Sequence, residues 1–434
     1  MPTAPDGDSK RPEETSTSVY AGLANNASSN LCFLNSVIQA LASTSDLEDY
    51  LQQLRATAEH AAGEPAGIVD GLLEIIAELN TPRDRRTVLR PTKFIECLRA
   101  NNASSARLFN SNQQDAHELL VMILEAVEDE VSRSARHRSS SSSIGLAGLL
   151  DTHPSPPSPP KPDRKILRNP FRGLMANRIA CAACGFSAGI RHSPTDHLSI
   201  TLPVCATCTL EDCLKEYTVL ELLDDYMCRK CTLLNREREM KTELEACRSK
   251  RKRAELKNDL QSLSEAIKVH PEQELHPLLE HSLSPIWSPM STKQTMFARP
   301  PRVLTVHVSR STVMGEGHLT KNYCRLVFPE LLILDRFTTT ERLSARAEAP
   351  ISRPPGAPSD RTPAVSYPYR LLALIVHQGT HLSGHYLTFR RSPQGSWWRL
   401  SDQDVDRCPV REALDSNPTL LIYQRLGDED QPQL

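Results

Sequence analysis

The apolar positions within residues 25–41, NNASSNLCFLNSVIQAL, recur with the spacing of one helical face. This stripe consists of Leu34, Val37, Ile38 and Leu41. The pattern predicts a helix that begins at Cys32. A helix N-terminus presents free N–H groups and the positive end of the helix dipole, and both favour a thiolate, the nucleophilic form of cysteine. Because a lone cysteine in a helix is more often a buried structural residue, position alone does not decide its function.

Helical spacing continues through the first third of the chain. Residues 51–100 are predicted to be mainly helical, and residues 111–131 form a clear amphipathic helix. Residues 1–19 are polar and predict a disordered tail. The Ser- and Pro-rich residues 134–165 predict an insertion without a core.

Strand-like alternation dominates the rest of the chain. The predicted strands are 171–179, 197–202, 301–309, 323–332, 369–376, 385–389, 397–400 and 419–423. They are interrupted by a short helix at 209–217, a charged helix at 235–269 within an insertion at 232–290, a flexible insertion at 338–366 and a tail at 426–434.

Composition adds few constraints on function. The chain has 434 residues, 39% of them hydrophobic, 32 prolines and a formal net charge of −2, which gives no general attraction to nucleic acid. We see neither a signal-peptide pattern nor an apolar run long enough to span a membrane. The sequence therefore predicts a cytoplasmic protein with reduced thiols, in which CxxC pairs are metal or redox candidates.

The segment HQGTHLSGHYLTF contains the candidate bases. His385 is the best of them because it follows the small Gly384 at the start of an alternating segment, whereas His377 and His381 are competitors. A cysteine early in the chain and a histidine late in the chain, brought together by the fold, are typical of a cysteine hydrolase. The next strand, WWRLSDQDV, offers Ser401 or Asp402 to orient the base. Asparagines before Cys32 are candidate oxyanion donors.

Several collinear segments resemble the ubiquitin-specific proteases, which are papain-like cysteine deubiquitinases. GLANNASSNLCFLNSVIQAL resembles their cysteine box and QQDAHELL their second signature. VHQGTHLSGHYLTFRR, WWRLSDQDV and LLIYQR together resemble their histidine box, and CAAC and CRKC their two zinc-binding pairs.

The resemblance implies an α+β papain-like fold with a helical thumb at about 20–133, a β-rich palm and zinc-bearing fingers at about 175–295, within a catalytic domain at 20–425. It implies hydrolysis of the isopeptide or peptide bond at the C-terminal glycine of ubiquitin. Cys32 would be the nucleophile and His385 the general base. The third triad position falls on Ser401, where most members have Asp or Asn and a subset has serine, and Asp402 is the alternative.

The cysteine box departs from the family pattern GLxNxGNxC, because two residues are added and Ser29 replaces the glycine. The oxyanion asparagine is therefore Asn26 or Asn25. Asp115 matches the acidic residue that holds the C-terminal tail of ubiquitin; its alternative interpretation is an exposed charge in the first turn of a helix. The full set of implied substrate-binding residues is Gln114, Asp115, Gly384 and Tyr386.

The resemblance also implies a structural zinc ion and no cofactor for catalysis. Its implied ligands are Cys181, Cys184, Cys228 and Cys231; the alternative is a site that has lost its metal. Cys205 and Cys208 form a third CxxC pair with no counterpart in the family pattern. This pair either competes for the metal or consists of loop cysteines.

Ubiquitin and ubiquitinated proteins are the expected partners, and neither nucleic acid nor a membrane segment is expected. One alternative is a catalytically weak or inactive ubiquitin-binding scaffold, motivated by Ser401 and the irregular cysteine box. Another is a peptidase for a ubiquitin-like modifier. The basic run RSKRKR is typical of a solvated helix face, with nucleic-acid binding as a weaker alternative. Similarity to the serine subset, which includes a mitochondrial outer-membrane deubiquitinase, makes mitochondrial association a further hypothesis.

Overall fold

A computed structural model describes residues 18–25, 30–58, 67–101, 115–141, 167–314, 318–340, 342–352, 366–380 and 383–427. The chain divides into two compact units. The first unit comprises residues 1–167 and 372–420, and the second comprises residues 168–371 and 421–434. Most of the predicted N-terminal tail and most of the 134–165 insertion lie outside the described residues.

The first unit combines helices with a C-terminal set of strands. The helices are α1 (Cys32–Leu41), α2 (Ser45–Ala58), α3 (Ile68–Asn80), α4 (Thr92–Asn101) and α5 (Ala116–Ser141), with α10 (Val410–Leu414) near the end of the unit. Its strands are β1 (Gly22–Leu23), β2 (Val88–Leu89), β14 (Pro368–Gly379, which starts in the second unit), β15 (Gly384–Arg391), β16 (Trp397–Ser401) and β17 (Asp404–Cys408). Strands β14 to β17 pair in chain order, each antiparallel to the next.

Helix α1 lies at the centre of the first unit. Every residue of α1 is buried, as expected for a helix that is apolar on most of its surface. It packs against β15 and α5, and the Thr388 hydroxyl of β15 donates a hydrogen bond of 2.9 Å to the Ser36 carbonyl. The fold therefore fixes the start of α1 relative to the strand that carries His385.

The second unit is built mainly from strands. One sheet has the order β4 (Arg191–Thr195), β3 (Gly173–Cys181), β8 (Ser291–Arg299) and β7 (Glu221–Leu223). Elsewhere β5 (Leu198–Thr201) pairs in parallel with β9 (Val303–Ser309), which neighbours β18 (Leu420–Arg425). The remaining strands are β6 (Thr207–Thr209), β10 (Ser311–Met314), β11 (His318–Lys321), β12 (Arg325–Val327) and β13 (Leu331–Ile333).

The helices of the second unit correct one prediction and confirm another. They are α6 (Leu210–Thr218), α7 (Arg229–Ala246), α8 (Lys250–Val269) and α9 (Pro277–His281). The predicted single charged helix at 235–269 is wrong, because the chain turns between α7 and α8. The turn lies at a break in the helical spacing of the apolar residues, and the two helices pack together around Met240 and Leu263. Helix α6 begins as predicted, and its Thr209 cap accepts a hydrogen bond of 3.0 Å from the Asp212 N–H.

Two boundary predictions also need correction. Helix α5 continues to Ser141, so residues 134–141 belong to it rather than to the predicted insertion; a helix that is already nucleated can extend through polar residues. Within the predicted flexible insertion at 338–366, the described residues 342–352 are partly exposed but are anchored at buried positions. Ala347 and Ile351 are 2% and 0% exposed, and the Ile351 N–H donates a hydrogen bond of 2.6 Å to the Gln294 side chain. Among the described residues, no helix has the length and apolar character needed to cross a membrane.

Candidate active site and metal centre

Cys32 is the first residue of α1, as the hydrophobic pattern predicts. Asn30, two residues earlier, has a φ of 44°, in the left-handed region that asparagine tolerates better than most residues. Leu31 follows as the N-cap residue. Cys32 is 5% exposed, so its thiol is buried at the beginning of the helix.

The imidazole of His385 contacts Ser401. His385 Nε2 lies 2.8 Å from Ser401 Oγ. The two residues lie on neighbouring antiparallel strands, β15 and β16, whose register aligns Thr388 with Leu400. This register brings His385 and Ser401 to the same end of the strand pair.

Asp402 has a different set of partners. Its Oδ1 accepts a hydrogen bond of 2.7 Å from Asn35 Nδ2, and its Oδ2 accepts one of 2.8 Å from Asn25 Nδ2. Asp402 has a φ of 53° in the turn between β16 and β17, and its carbonyl accepts a hydrogen bond of 2.8 Å from the Leu23 N–H. The turn therefore points the Asp402 carboxylate at two asparagines, while Ser401 reaches the imidazole.

These contacts attach the Asp402 turn to the segment before Cys32. Asn25 Oδ1 accepts a hydrogen bond of 3.1 Å from the Leu31 N–H. At Gly22, a Cβ atom would lie 2.5 Å from the Gln403 carbonyl oxygen, so only glycine allows β1 to approach the turn this closely. The structure therefore places the Asn25 amide between Asp402 and Leu31. The other candidate oxyanion donor, Asn26, lies outside the described residues.

Asn35 is a site residue that the sequence reasoning missed. It is 1% exposed, and its amide donates both to Asp402 and, at 3.3 Å, to the Ala24 carbonyl. Gln39, one turn later on α1, similarly donates a hydrogen bond of 3.0 Å to the Ala21 carbonyl. The sequence signal for this role was the presence of two amide side chains one turn apart in a mainly apolar helix. Buried polar groups require hydrogen-bond partners, so these amides indicate contacts with other segments.

The environment of Cys32 differs from the one expected at a helix N-terminus. Burial raises the pKa of the Cys32 thiol, and the nearby Asp402 carboxylate raises it further. Backbone N–H groups of Tyr386, Phe33 and Cys32 itself lower the pKa, but they do not offset burial. The N–H groups at the start of α1 therefore favour the thiolate as expected, but burial and the Asp402 charge outweigh them.

Asp115 and Tyr386 lie near each other. Asp115 is exposed immediately before α5, and its Oδ1 accepts a hydrogen bond of 2.7 Å from the His117 N–H. Burial raises the pKa of the Tyr386 hydroxyl, and the Asp115 carboxylate adds to this increase, while the Ala116 N–H binds the phenol oxygen. Asp115 therefore lies near the strand β15, which carries both His385 and Tyr386.

The remaining candidates divide between described and undescribed residues. A Cβ atom at Gly384 would lie 2.1 Å from the Gln378 carbonyl oxygen and 2.5 Å from His377 Nε2, so only glycine fits at this position. The ring of His377 packs against that of Tyr386, with centroids 4.6 Å apart. Gln114 and His381 lie outside the described residues.

The second unit brings together the four cysteines predicted to bind metal, which we call the first cysteine cluster. Their Sγ atoms all lie within 4.8 Å of one another. Cys181 and Cys231 are 3.7 Å apart, and Cys184 and Cys228 are 3.5 Å apart. Sulfur ligands of tetrahedral zinc, with bonds of about 2.3 Å, lie about 3.8 Å apart. The donor set and its spacing therefore fit a structural metal ion.

Secondary structure places these four cysteines. Cys181 ends β3, and Cys184 lies in the turn that follows, while Cys228 and Cys231 lie at the beginning of α7. Although burial raises the pKa of the Cys181 thiol, hydrogen bonds from the Ser288 hydroxyl and the Cys184 N–H lower it to about 6. Burial raises the pKa of the Cys228 and Cys231 thiols instead, so a metal ion would displace protons from these two sulfur atoms when it binds.

Comparison with known proteins identifies the family. Residues 21–423 match the family model described as ubiquitin carboxyl-terminal hydrolase. The chain belongs to this family. It is 25% identical to ubiquitin carboxyl-terminal hydrolase 30 of Xenopus tropicalis, with 92% of this chain and 80% of that protein covered. It is 26% identical to ubiquitin carboxyl-terminal hydrolase 27 of Arabidopsis thaliana, with 92% and 84% covered.

Solved structures show the same fold. The SAGA Ubp8/Sgf11/Sus1/Sgf73 DUB module bound to ubiquitin aldehyde matches with a TM-score of 0.58 and 20% sequence identity, covering 94% of this chain and 69% of that chain. A structure of the SAGA DUB module bound to monoubiquitin matches with a TM-score of 0.56 and 18% identity, with the same coverage. The predicted α+β ubiquitin-specific protease fold and the predicted class, a cysteine-type deubiquitinase, are confirmed. The alternative of an inactive scaffold is not favoured.

Proposed function

We propose that this chain cleaves the bond after the C-terminal glycine of ubiquitin, with Cys32 as nucleophile and His385 as general base. One observation carries the assignment of residues: His385 Nε2 lies 2.8 Å from Ser401 Oγ on strands that pack against the helix beginning at Cys32. The Tyr386 N–H faces the Cys32 sulfur, so His385 is the immediate neighbour of a residue in contact with the thiol. Because burial raises the pKa of the Cys32 thiol, a neighbouring base that takes its proton would assist the attack.

The reaction has two steps. His385 Nδ1 takes the proton of the Cys32 thiol as the sulfur attacks the glycine carbonyl carbon, and the imidazolium then protonates the departing lysine amine as the C–N bond breaks. A water molecule, deprotonated by His385, attacks the resulting thioester and releases the ubiquitin carboxylate and the Cys32 thiol. No cofactor enters either step.

In this proposal Ser401 is the positioning residue for His385. Its hydroxyl engages Nε2 and leaves Nδ1 for the proton of Cys32. This arrangement supports placing the chain with the family subset that has serine at the third triad position. A serine orients the ring without offsetting the imidazolium charge, so part of the electrostatic stabilisation that a carboxylate provides is lost.

Asp402 and Asn25 would act indirectly. Asp402 holds the Asn25 and Asn35 amides, and Asn25 holds the Leu31 N–H beside the nucleophile. The oxyanion would be stabilised by N–H groups at the start of α1, which already surround the sulfur, with Asn26 as the candidate side-chain donor.

Ubiquitin would enter as an extended C-terminal tail. The exposed Asp115 carboxylate, beside Tyr386, would accept hydrogen bonds from backbone N–H groups of that tail, with Gln114 as a neighbouring contact. Gly384 would allow β14 and β15 to pair closely next to His385, because the Cβ atom of any larger residue clashes with Gln378 and His377.

The first cysteine cluster would hold a structural zinc ion. Its four sulfur atoms supply the closed tetrahedral ligand set typical of such sites, and softer thiolate ligands favour zinc over hard cations. Zinc would fix the end of β3 to the beginning of α7 and takes no part in the chemistry.

A ubiquitin probe with a C-terminal thiol-reactive group tests the assignment. Wild-type protein should form an adduct that peptide mapping places on Cys32, and Cys32→Ser should form none while still binding ubiquitin. His385→Ala should label at least tenfold more slowly, since loss of the base leaves the thiol protonated at neutral pH. Cys408→Ser, at another thiol of the first unit, is the matched control.

Three other outcomes would count against the proposal. An adduct on a cysteine other than Cys32 would show that the nucleophile is misassigned. Ubiquitin binding without an adduct would support the inactive scaffold. Faster labelling by a probe made from a ubiquitin-like modifier would show that this modifier, rather than ubiquitin, is the substrate.

A further inference from the structure

A second group of cysteines lies in the second unit, apart from the first cysteine cluster. Cys205 Sγ is 3.6 Å from Cys324 Sγ, and Cys324 Sγ is 3.6 Å from Cys208 Sγ. Cys213 Sγ lies 3.9 Å from Cys208 Sγ. We call these four residues the second cysteine cluster. Neither the proposed reaction nor the zinc site described above uses any of them.

The fold brings distant parts of the chain to this cluster. Strand β6, which contains Cys208, pairs in parallel with β12, and Cys208 is aligned with Leu326. The Arg325 N–H donates a hydrogen bond of 2.9 Å to the Ala206 carbonyl, which holds Cys324 beside the CxxC turn of Cys205 and Cys208. The cluster therefore depends on secondary structure rather than on the chance approach of a loop.

A buried arginine adds positive charge at the same place. Arg310 is 7% exposed, and its guanidinium donates hydrogen bonds to the carbonyls of Cys324, at 2.9 Å, and Asn322, at 3.2 Å. Its charge interacts favourably with ionised Cys324 and Cys208. The pKa of all four thiols is nonetheless raised, that of Cys208 to about 11 by burial, so a metal ion must displace their protons when it binds.

We propose that the second cysteine cluster is a second zinc site, with Cys205, Cys208 and Cys324 as ligands and Cys213 as the fourth. The three sulfur–sulfur distances of 3.6, 3.6 and 3.9 Å resemble those of the first cluster and the value of about 3.8 Å across a tetrahedral zinc ion. A CxxC pair joined by cysteines from other segments is a donor pattern typical of structural zinc. This site goes beyond the proposed deubiquitinase function and does not depend on it.

The two clusters differ in how closely their sulfur atoms are gathered. Among the residues that the structure describes, the first cluster alone has all its sulfur atoms within 4.8 Å of one another. In the second cluster no three sulfur atoms lie mutually within this distance; they form a chain of contacts from Cys205 through Cys324 and Cys208 to Cys213, and Cys205 is exposed. Because binding must draw its ligands together, the second site should bind zinc more weakly and release it first to a chelator.

Metal analysis of the full-length protein, purified under reducing conditions and equilibrated with zinc chloride, tests the proposal. The double variant Cys205→Ser/Cys324→Ser should contain one zinc ion per chain fewer than wild type. Cys247→Ser, which removes a thiol of the second unit outside both clusters, should keep the wild-type content. The difference in zinc content between wild type and the double variant tests the proposal whether or not the first cysteine cluster holds zinc.

A second measurement needs only wild-type protein, in case the double variant fails to fold. Zinc chloride should slow alkylation of the exposed Cys205 by iodoacetamide at least tenfold, and a chelator should restore the rate, while alkylation of Cys247 stays constant. Zinc-independent alkylation of Cys205, or a Cys205–Cys324 disulfide in the reduced preparation, would overturn the proposal. Equal zinc content in wild type and a folded double variant would do the same.

Discussion

Cys32 in the first unit and the clustered cysteines in the second unit show the same side chain in two environments. The buried Cys32 thiol faces backbone N–H groups and the end of a strand that carries a hydrogen-bonded histidine. In the second unit, sulfur atoms face one another at 3.5–3.9 Å. A thiol beside a base is suited to attack a carbonyl, whereas thiols gathered together are suited to share a cation. The neighbours of the sulfur, rather than its burial, therefore separate the two kinds of chemistry.

The largest effect should come from breaking the first cysteine cluster. Under the proposed assignment of a structural zinc ion, Cys181→Ser should remove the metal and lower the free energy of unfolding by several kcal/mol, because metal binding in such sites contributes directly to folding. Urea unfolding combined with metal analysis measures this effect. Cys247→Ser and Cys32→Ser should each change the unfolding free energy by less than about 1 kcal/mol, since neither removes a metal ligand. An equal loss in all three variants would contradict the contrast between the units.

A smaller effect is expected at the contact that orients the base. Ser401→Ala should lower kcat about tenfold with little change in KM, because the imidazole loses the hydrogen bond that fixes its orientation before ubiquitin binds. Steady-state cleavage of a ubiquitin C-terminal amide measures both constants. Ser401→Asp should restore the rate, and Ser416→Ala, at a hydroxyl bonded to the Ala413 carbonyl, is the control. An unchanged kcat in Ser401→Ala would mean that His385 is held in another way.

The smallest effect concerns the charge near the nucleophile. The Asp402 carboxylate raises the pKa of Cys32, so Asp402→Asn should lower that pKa. The midpoint of the pH dependence of Cys32 alkylation should then move to lower pH by about half a unit, the size expected for one partly screened charge. Asp404→Asn, which removes an exposed charge from the same hairpin, should shift the midpoint less. A shift to higher pH would show that the lost hydrogen bonds outweigh the lost charge.

Local pattern was sufficient for much of the fold. The stripe of α1 and the alternation in β15 and β16 predict elements close to those observed, because each reflects burial of one face. The same reasoning missed the turn between α7 and α8, since an apolar seam shows which residues are buried but not whether its two halves pack against each other. The family and enzyme class were predicted because several motifs occur in the expected order.

Features of the site that depend on tertiary packing could not be predicted from the sequence. The sequence left Ser401 and Asp402 as alternative residues to orient His385. Only the turn geometry shows that Ser401 contacts His385, while Asp402 accepts hydrogen bonds from two asparagines. The raised pKa of Cys32 could not be predicted either, because burial of the thiol results from tertiary packing. The second cysteine cluster could not be predicted for the same reason, since Cys205 and Cys324 are far apart in the chain.

The Asp402 turn has a consequence for how this enzyme can change by mutation. One carboxylate binds two amides from different segments, and its neighbour Ser401 contacts the base. Substituting Asn25, Asn35 or Asp402 alone removes one side of a hydrogen bond between groups that are at least half-buried, whereas substituting several together removes donor and acceptor at once. These three positions should therefore show strong epistasis, and related sequences should change them as a set.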